Sequence, residues 1–380
     1  MTANKIVLLS SVPLAEPVTR NRLLPFLALL LDAGINVILI CPKSDPATHA
    51  HPEGITLVEV EQEITKPKSF IKRAIKETQD VSALLSIAKQ EQAAAYLLTM
   101  PSIFIAFLAP LYLRKKPVFL DIRDLTWEYL SNKSILQRIS KRFFGFLFKI
   151  TLNCYQQIAV TNPAELVYVK RIWKGAQEPL LVSNGITQEQ FKKLETTRVA
   201  KNEKLIITYI GNIGIAQHLE TFVEAAKALP DVTFRVVGAG IEQEKIQQLI
   251  LDWNINNFEL TGRVPWDRVK DYYSSTNILY AQLAPDFAGA MPSKLYEYLS
   301  TGKYIIYGGI GQAADKLSEF SNNKVVYPCD TPALVKAIKE TAEQIDLNQL
   351  CSKNRNAIEK NYIRENTAKK FIDQVVLAVK

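Results

Sequence analysis

The chain has 380 residues, long enough for two domains, because a single hydrophobic core rarely grows past about 250–300 residues. Hydrophobic residues make up 48% and charged residues 22%, which argues against a disordered chain and leaves an ordinary globular protein with room for large cores. The formal charge of +8 directs attention to an anionic partner: nucleic acid, a phosphorylated ligand or an acidic membrane surface.

The opening MTANKIVLLSSVPLAEP lacks the basic start, long apolar run and cleavage site of a signal peptide, so a cytoplasmic protein is expected. The first half then alternates short apolar runs with amphipathic stretches: IVLLSS, a helix over 20–33, NVILICP, ITLVEV, AAYLLT, PVFLDI and QIAVTN. Within it, KPKSFIKRAIK at 66–76 is a basic segment of the kind that usually forms a solvated face. The most apolar run, IFIAFLAPLYL at 103–113, contains Pro110 and is about half the roughly 20 residues that a membrane-spanning helix needs. Asp121, Arg123 and Asp124 follow the strand PVFL. An arginine stays protonated, so acid or base work there falls to an aspartate, while pairing of Arg123 with either carboxylate is the structural alternative.

KSILQRISKRFFGFLFKI at 133–150 combines Arg138, Lys141, Arg142 and Lys149 with four phenylalanines, the composition of a helix that lies on an anionic membrane surface, although part of it must cover its own sheet. Residues 1–190 hold 22 basic against 16 acidic side chains, so most of the positive excess is in the first half. PLLVSNGITQEQFKKLETTRVAKNEK, residues 179–204, turns polar towards its end and is expected to be a linker.

A second alternating series begins at LIITYIG and continues through helices over 217–229, 242–253, 266–275 and 294–301, with TFRVVGAG, FELTGRV, NILYAQL, YIIYGG and KVVYP between and after them. Two such series predict an α/β chain of two Rossmann-like domains with parallel sheets and an interdomain cleft. Ligands in such sheets bind at the carboxyl ends of the strands. The boundaries expected are 1–185, 186–360 and a terminal segment 361–380, whose Ala368, Phe371, Ile372, Val375 and Val379 have helical spacing and could return the chain to the first domain.

Three loops of the second half invite a chemical reading. In YIGNIGIAQHLE, Gly211 and Gly214 allow close backbone approach, and a phosphate would suit the following helix start; a purely structural turn fits as well. VVGAGIEQE lacks the third glycine of a dinucleotide fingerprint and is read as a tight turn. In AMPSKLYEYLSTGKYII, Lys294 stands in the first turn of a helix, where a cation opposes the dipole unless an anion binds there too. Glu297 shares its face and suits the paired hydroxyls of a ribose, whereas a surface salt bridge between the two is the plainer alternative. The four cysteines and three histidines show no metal spacing and no nucleic-acid motif is present, so neither metal nor nucleic acid is expected.

With these loops in series, the chain resembles retaining glycosyltransferases of family 4, and within them a subgroup of bacterial surface-polysaccharide enzymes that includes N-acetylfucosamine transferases. The residues that carry the resemblance are LLVSNGITQEQF, YIGNIGIAQHLETFVEAAKAL, VVGAGIEQEKI, FELTGRVPWDRVKDYYSSTNILYAQL and PSKLYEYLSTGKYII, with DIRDL in the first half. The resemblance implies a GT-B fold and transfer of a sugar from a nucleotide diphosphate sugar, most simply a UDP-sugar, to a glycan or polyprenyl-lipid-linked acceptor without a metal. It places Lys294 beside the diphosphate and Glu297 beside the ribose, with Gly211, Asn212, Gly214, Gln217, Arg263, Val264, Met291, Pro292 and Ser293 around the donor. Gly289 stands where the family often has a further glutamate, and Asn212 and Gln217 where it often has an arginine and a lysine. Arg123 aligns with a frequent histidine, and Arg123, Asp124 and Lys294 form the catalytic set, the leaving phosphate taking the acceptor proton and Asp124 being the side-chain alternative. Arg20, in the loop after the first strand, joins Arg123 on the acceptor side. Peripheral attachment to the inner face of the cytoplasmic membrane follows from 133–150. A nucleotide-sugar 2-epimerase of the same fold and a noncatalytic nucleotide-sugar or membrane-surface binding protein are the alternatives.

Overall fold

The computed structural model describes residues 4–43, 52–62, 70–123, 125 and 135–380. The chain divides into two compact units, Met1–Asn184 with Arg364–Lys380, and Gly185–Ile363.

In the first unit, β1 (Lys5–Ser10), β2 (Asn36–Pro42), β3 (Ile55–Val60), β4 (Ala95–Met100), β5 (Val118–Ile122), β6 (Gln157–Val160) and β7 (Leu180–Leu181) form one parallel sheet in the order β3-β2-β1-β4-β5-β6-β7. Strands β4, β5 and β6 are buried along their whole length, which is why they read as predominantly apolar runs: a parallel sheet is covered on both faces. Alternation along β1 sends Val7 and Leu9 to one core and Ile6 and Leu8 to the other. The first core is closed by helices Phe70–Gln90, Ile103–Tyr112 and Ile135–Thr151, the second by Pro17–Asp32 and Arg364–Leu377.

The terminal helix belongs to the first unit because its apolar stripe is buried in the second of that unit's cores. Ala368, Phe371, Ile372 and Val375 are buried, and Phe371 meets Phe26 and Phe119 edge-on at 6.1 and 6.3 Å. Burial of Phe371 alone contributes about 1.5–3 kcal/mol. The apolar run at 103–113 is a helix inside this unit, and no helix among the described residues is long and apolar enough to cross a membrane.

The second unit repeats the plan with β8 (Ile206–Ile210), β9 (Thr233–Val237), β10 (Phe258–Gly262), β11 (Ile278–Gln282), β12 (Tyr304–Gly308) and β13 (Asn323–Val326), all parallel in the order β10-β9-β8-β11-β12-β13. The helices expected at 242–253, 266–275 and 294–301 are Gln243–Asp252, Trp266–Ser274 and Ser293–Thr301. The last stops at Gly302, whose φ of 69° is left-handed.

Residues 179–204, expected to be a linker, contain the division between the units at Asn184 and Gly185 and also carry regular structure: Leu180 and Leu181 extend the first sheet, and a helix runs from Gln188 to Leu194. Thr187 and Gln190 close a reciprocal capping box, and Phe191 and Leu194 are buried in the second core, so polar flanks concealed a helix with two apolar anchors. The helix expected from residue 217 begins at Glu220, after a 3-10 turn at Ile215–Gln217 and a left-handed His218 with φ 42° and ψ 58°.

Candidate functional site

In an open parallel sheet, a crevice forms where the strand order reverses, between strands whose following connections leave in opposite directions. In the second unit that point lies between β8 and β11, and their pairing covers only Ile207 with Ile278 and Thr208 with Leu279. Beyond it, the Tyr298 hydroxyl takes over the strand's partners: it accepts from Ile210 N–H at 2.7 Å and donates to Ile210 C=O at 3.1 Å. Burial pushes the Tyr298 phenol well above its ordinary range, so it remains a donor at neutral pH. Tyr298 thus fastens the helix Ser293–Thr301 to the end of β8.

Tyr298→Phe leaves both Ile210 groups without this partner in a buried place, and a loss of about 1–3 kcal/mol is expected in urea unfolding; unchanged stability would show that the strand ends re-pair without the phenol.

The same helix presents Lys294 and Glu297. Lys294 Nζ lies 2.8 Å from Glu297 Oε2 and 5.4 Å from the centre of the Trp266 ring. Glu297 is nearly buried, and its Oε2 also accepts from the Tyr273 hydroxyl at 3.2 Å. The salt bridge therefore exists, but it joins a partly exposed ammonium to a buried carboxylate rather than spanning an open surface. An ammonium has three donors, so Lys294 can keep Glu297 and still meet an anion. The helix starts at Pro292 without a side-chain cap, and Ser293 is exposed at its first position. Val264, Trp266 and Met291 pack beside this end against the core, while Arg263, just past the left-handed Gly262 that closes β10, is exposed.

Across the switch point, the loop after β8 is braced by the turn after β9. Gly211 N–H donates to Val237 C=O, Ile213 N–H to Ala239 C=O and Glu242 N–H to Ile213 C=O. A Cβ on Gly238, whose φ is 153°, would lie 1.8 Å from the Gly211 carbonyl oxygen, so the glycine in VVGAG is there to let two loops touch, as a tight turn requires. Asn212 and Gln217 bring their amides together over Gly214: a Cβ there would lie 2.7 Å from Asn212 Nδ2 and 2.9 Å from Gln217 Oε1. Gln282, at the end of β11, reaches under this loop and donates to the Gln217 and His218 carbonyls.

In the first unit the switch point falls between β1 and β4. Arg20 is not in a loop as expected: Pro17 starts the helix, and the Thr19 and Arg20 N–H groups both turn back to Glu16 C=O, so Arg20 stands in the first turn. Arg123 Nη2 donates to Val18 C=O at 2.8 Å at that helix start. Asp121 is fully buried and is gripped by Arg22, whose Nε lies 3.1 Å from Oδ2 while Nη2 meets Oδ1; Thr99 Oγ1 donates to the same carboxylate. Asp124 lies outside the described residues. Arg22, Trp266, Tyr273, Tyr298 and Gln282 carry no mark in their local sequence, because each makes a contact that only the fold brings about.

The helix Ile135–Thr151 divides its faces cleanly. Phe148 is buried, whereas Ile139, Phe143, Phe146 and Ile150, at helical spacing, are each more than half exposed beside exposed Arg138, Arg142 and Lys149.

Residues 190–361 match the family Glycosyl transferases group 1. No curated protein sequence matches the chain. Among solved structures, sucrose-phosphate synthase from Thermosynechococcus elongatus is similar over 99% of this chain and 100% of its own, with 16% identity and a TM-score of 0.73. HepE from Anabaena in complex with UDP-glucose is similar over 98% and 99%, with 14% identity and a TM-score of 0.66. WaaG, a glycosyltransferase involved in lipopolysaccharide biosynthesis, covers 97% and 99% at 12% identity and a TM-score of 0.66. At these identities the likeness is one of fold. The second unit thus matches the group 1 glycosyl transferases over residues 190–361, within a chain of two Rossmann-like domains that has the GT-B fold.

Proposed function

We propose that the chain is a retaining glycosyltransferase that moves a sugar from a UDP-sugar to a glycan or lipid-linked acceptor in cell-surface polysaccharide assembly. The observation that carries this reading is the helix start fastened to the end of β8 in the second unit, where an uncapped N-terminus, Lys294 and the buried Glu297 stand together. Structures of HepE with UDP, and with UDP and glucose, favour a uridine donor.

In the reaction the bond from the anomeric carbon to the diphosphate oxygen breaks, UDP departs with the electron pair, and the acceptor oxygen forms the new bond on the same face. Charge therefore develops on the diphosphate, where Lys294 and the helix N–H groups stabilise it; such electrostatic stabilisation is usually the largest contribution to catalysis. The departing phosphate oxygen takes the acceptor proton, with Asp124 as the side-chain alternative. Arg20 and Arg123 serve the acceptor. No metal is required in this scheme.

The uncharged amides of Asn212 and Gln217 favour a second reading, a protein that binds the nucleotide sugar without turning it over. A donor screen with isolated membrane lipid separates the two: UDP release and a glycosylated lipid are expected, and tight donor binding without release from any UDP-sugar would leave the binding protein.

The exposed stripe on Ile135–Thr151 supports peripheral attachment to the inner face of the cytoplasmic membrane. Each phenylalanine inserted into the interface contributes about 1.5–3 kcal/mol, and the flanking cations favour anionic headgroups. Sedimentation with phosphatidylglycerol vesicles but not with phosphatidylcholine vesicles is expected, and Phe143→Asp/Phe146→Asp should lose at least about tenfold in partitioning. Equal sedimentation of the double variant would remove the stripe from the account.

A further inference from the structure

The loop after β8 contains a feature that its sequence does not announce. Gln217 ends a 3-10 turn and His218 is left-handed, a right-handed residue followed by a left-handed one. That succession turns consecutive N–H groups to one side and makes a concavity suited to an anion. Gln217 N–H is used by Gly214 C=O, whereas the N–H groups of His218 and Leu219 have no acceptor among the described residues. The carbonyls of Gln217 and His218 turn to the other side, where both accept from one nitrogen, Gln282 Nε2, at 3.1 and 2.8 Å.

Gln282 is almost fully buried and held from every side. Its Nε2 also reaches Thr221 Oγ1 at 3.3 Å, and its Oε1 accepts from the Tyr280 hydroxyl and from Cys329 N–H, both at 2.9 Å. A left-handed conformation is disfavoured for a residue other than glycine, and two hydrogen bonds from a fixed amide are sufficient to hold it.

We propose that Gln282 is a positioning residue, which holds the Gln217–His218 turn so that the His218 and Leu219 N–H groups receive a phosphate of the donor diphosphate. This rests on the UDP-sugar reading for the identity of the ligand. Gln282 itself touches no substrate.

The test uses Gln282→Glu in the full chain. The carboxylate retains the Tyr280 and Cys329 bonds and the packing, but sets an oxygen against the Gln217 and His218 carbonyls and releases the turn. UDP affinity is expected to fall about tenfold while uridine affinity stays within twofold, because only the phosphates face the turn. His218→Gly added to this variant should restore most of the UDP affinity, since glycine adopts the left-handed conformation without cost. Amide resonances of His218 and Leu219 in the unsubstituted chain should shift on titration with inorganic pyrophosphate. Equal losses of UDP and uridine affinity, or no loss of either, would overturn the role of Gln282. Pyrophosphate shifts without any UDP binding would keep the anion site and overturn the donor reading, and resonances unmoved by both ligands would overturn both.

Discussion

Lys294→Ala is expected to weaken UDP binding by about 1.5–3 kcal/mol, a factor of roughly ten to more than a hundred, the usual contribution of a hydrogen bond to a charged group. The magnitude follows from where Lys294 stands. Its ammonium is partly exposed and pairs with the buried Glu297, and it keeps donors free for an anion. An incoming diphosphate changes the balance, because the uncapped N–H groups at Ser293 and the ammonium then act on the same two negative charges. The binding loss should shrink as salt is added, since screening weakens contacts with a solvent-accessible phosphate. Uridine, which has no phosphate, should bind both proteins alike. Removing Lys294 also leaves Glu297 with the Tyr273 hydroxyl, so unfolding must be followed in parallel to separate binding from stability. A UDP affinity within twofold of the original, in a variant that folds normally, would take Lys294 out of the donor site.

Arg22→Met should destabilise the first unit by about 3–5 kcal/mol, the loss expected when one member of a buried ion pair is removed. Asp121 has no exposed surface, and Arg22 supplies two of its donors while its Nη1 donates to Val182 C=O at 2.7 Å. After the substitution, Thr99 Oγ1 is the donor that remains from this cluster for a carboxylate far from water. The guanidinium also lies 5.1 Å from the centre of the Phe26 ring, so its packing contributes beyond its charge. The double variant Arg22→Met/Asp121→Leu should recover most of the loss, because apolar residues of similar volume replace a buried pair at little cost. Urea unfolding of the three proteins decides this, and a single variant within 1 kcal/mol of the original would mean that Asp121 finds other partners.

Much of the architecture was legible in the sequence for a simple reason: strands buried on both faces are predominantly apolar runs, and β4, β5 and β11 stand out as such despite Thr99, Asp121 and Gln282. The glycine-bounded helix at 293–301 was equally plain. What escaped notice depends on partners remote in sequence. Arg22 and Asp121 are 99 positions apart, and Tyr298 serves a strand end 88 positions earlier. His218 gave no hint of a left-handed conformation, because the amide that holds it comes from Gln282. The helix at 188–194 was missed because two buried apolar residues are too few to show a period among lysines and glutamines.

The measurement that bears most directly on the proposed activity is calorimetric titration of the purified chain with UDP, GDP and ADP, first without added metal and then with magnesium. The account predicts binding of UDP, selective over the other two and already present without magnesium. Binding of none of the three nucleotides would contradict it.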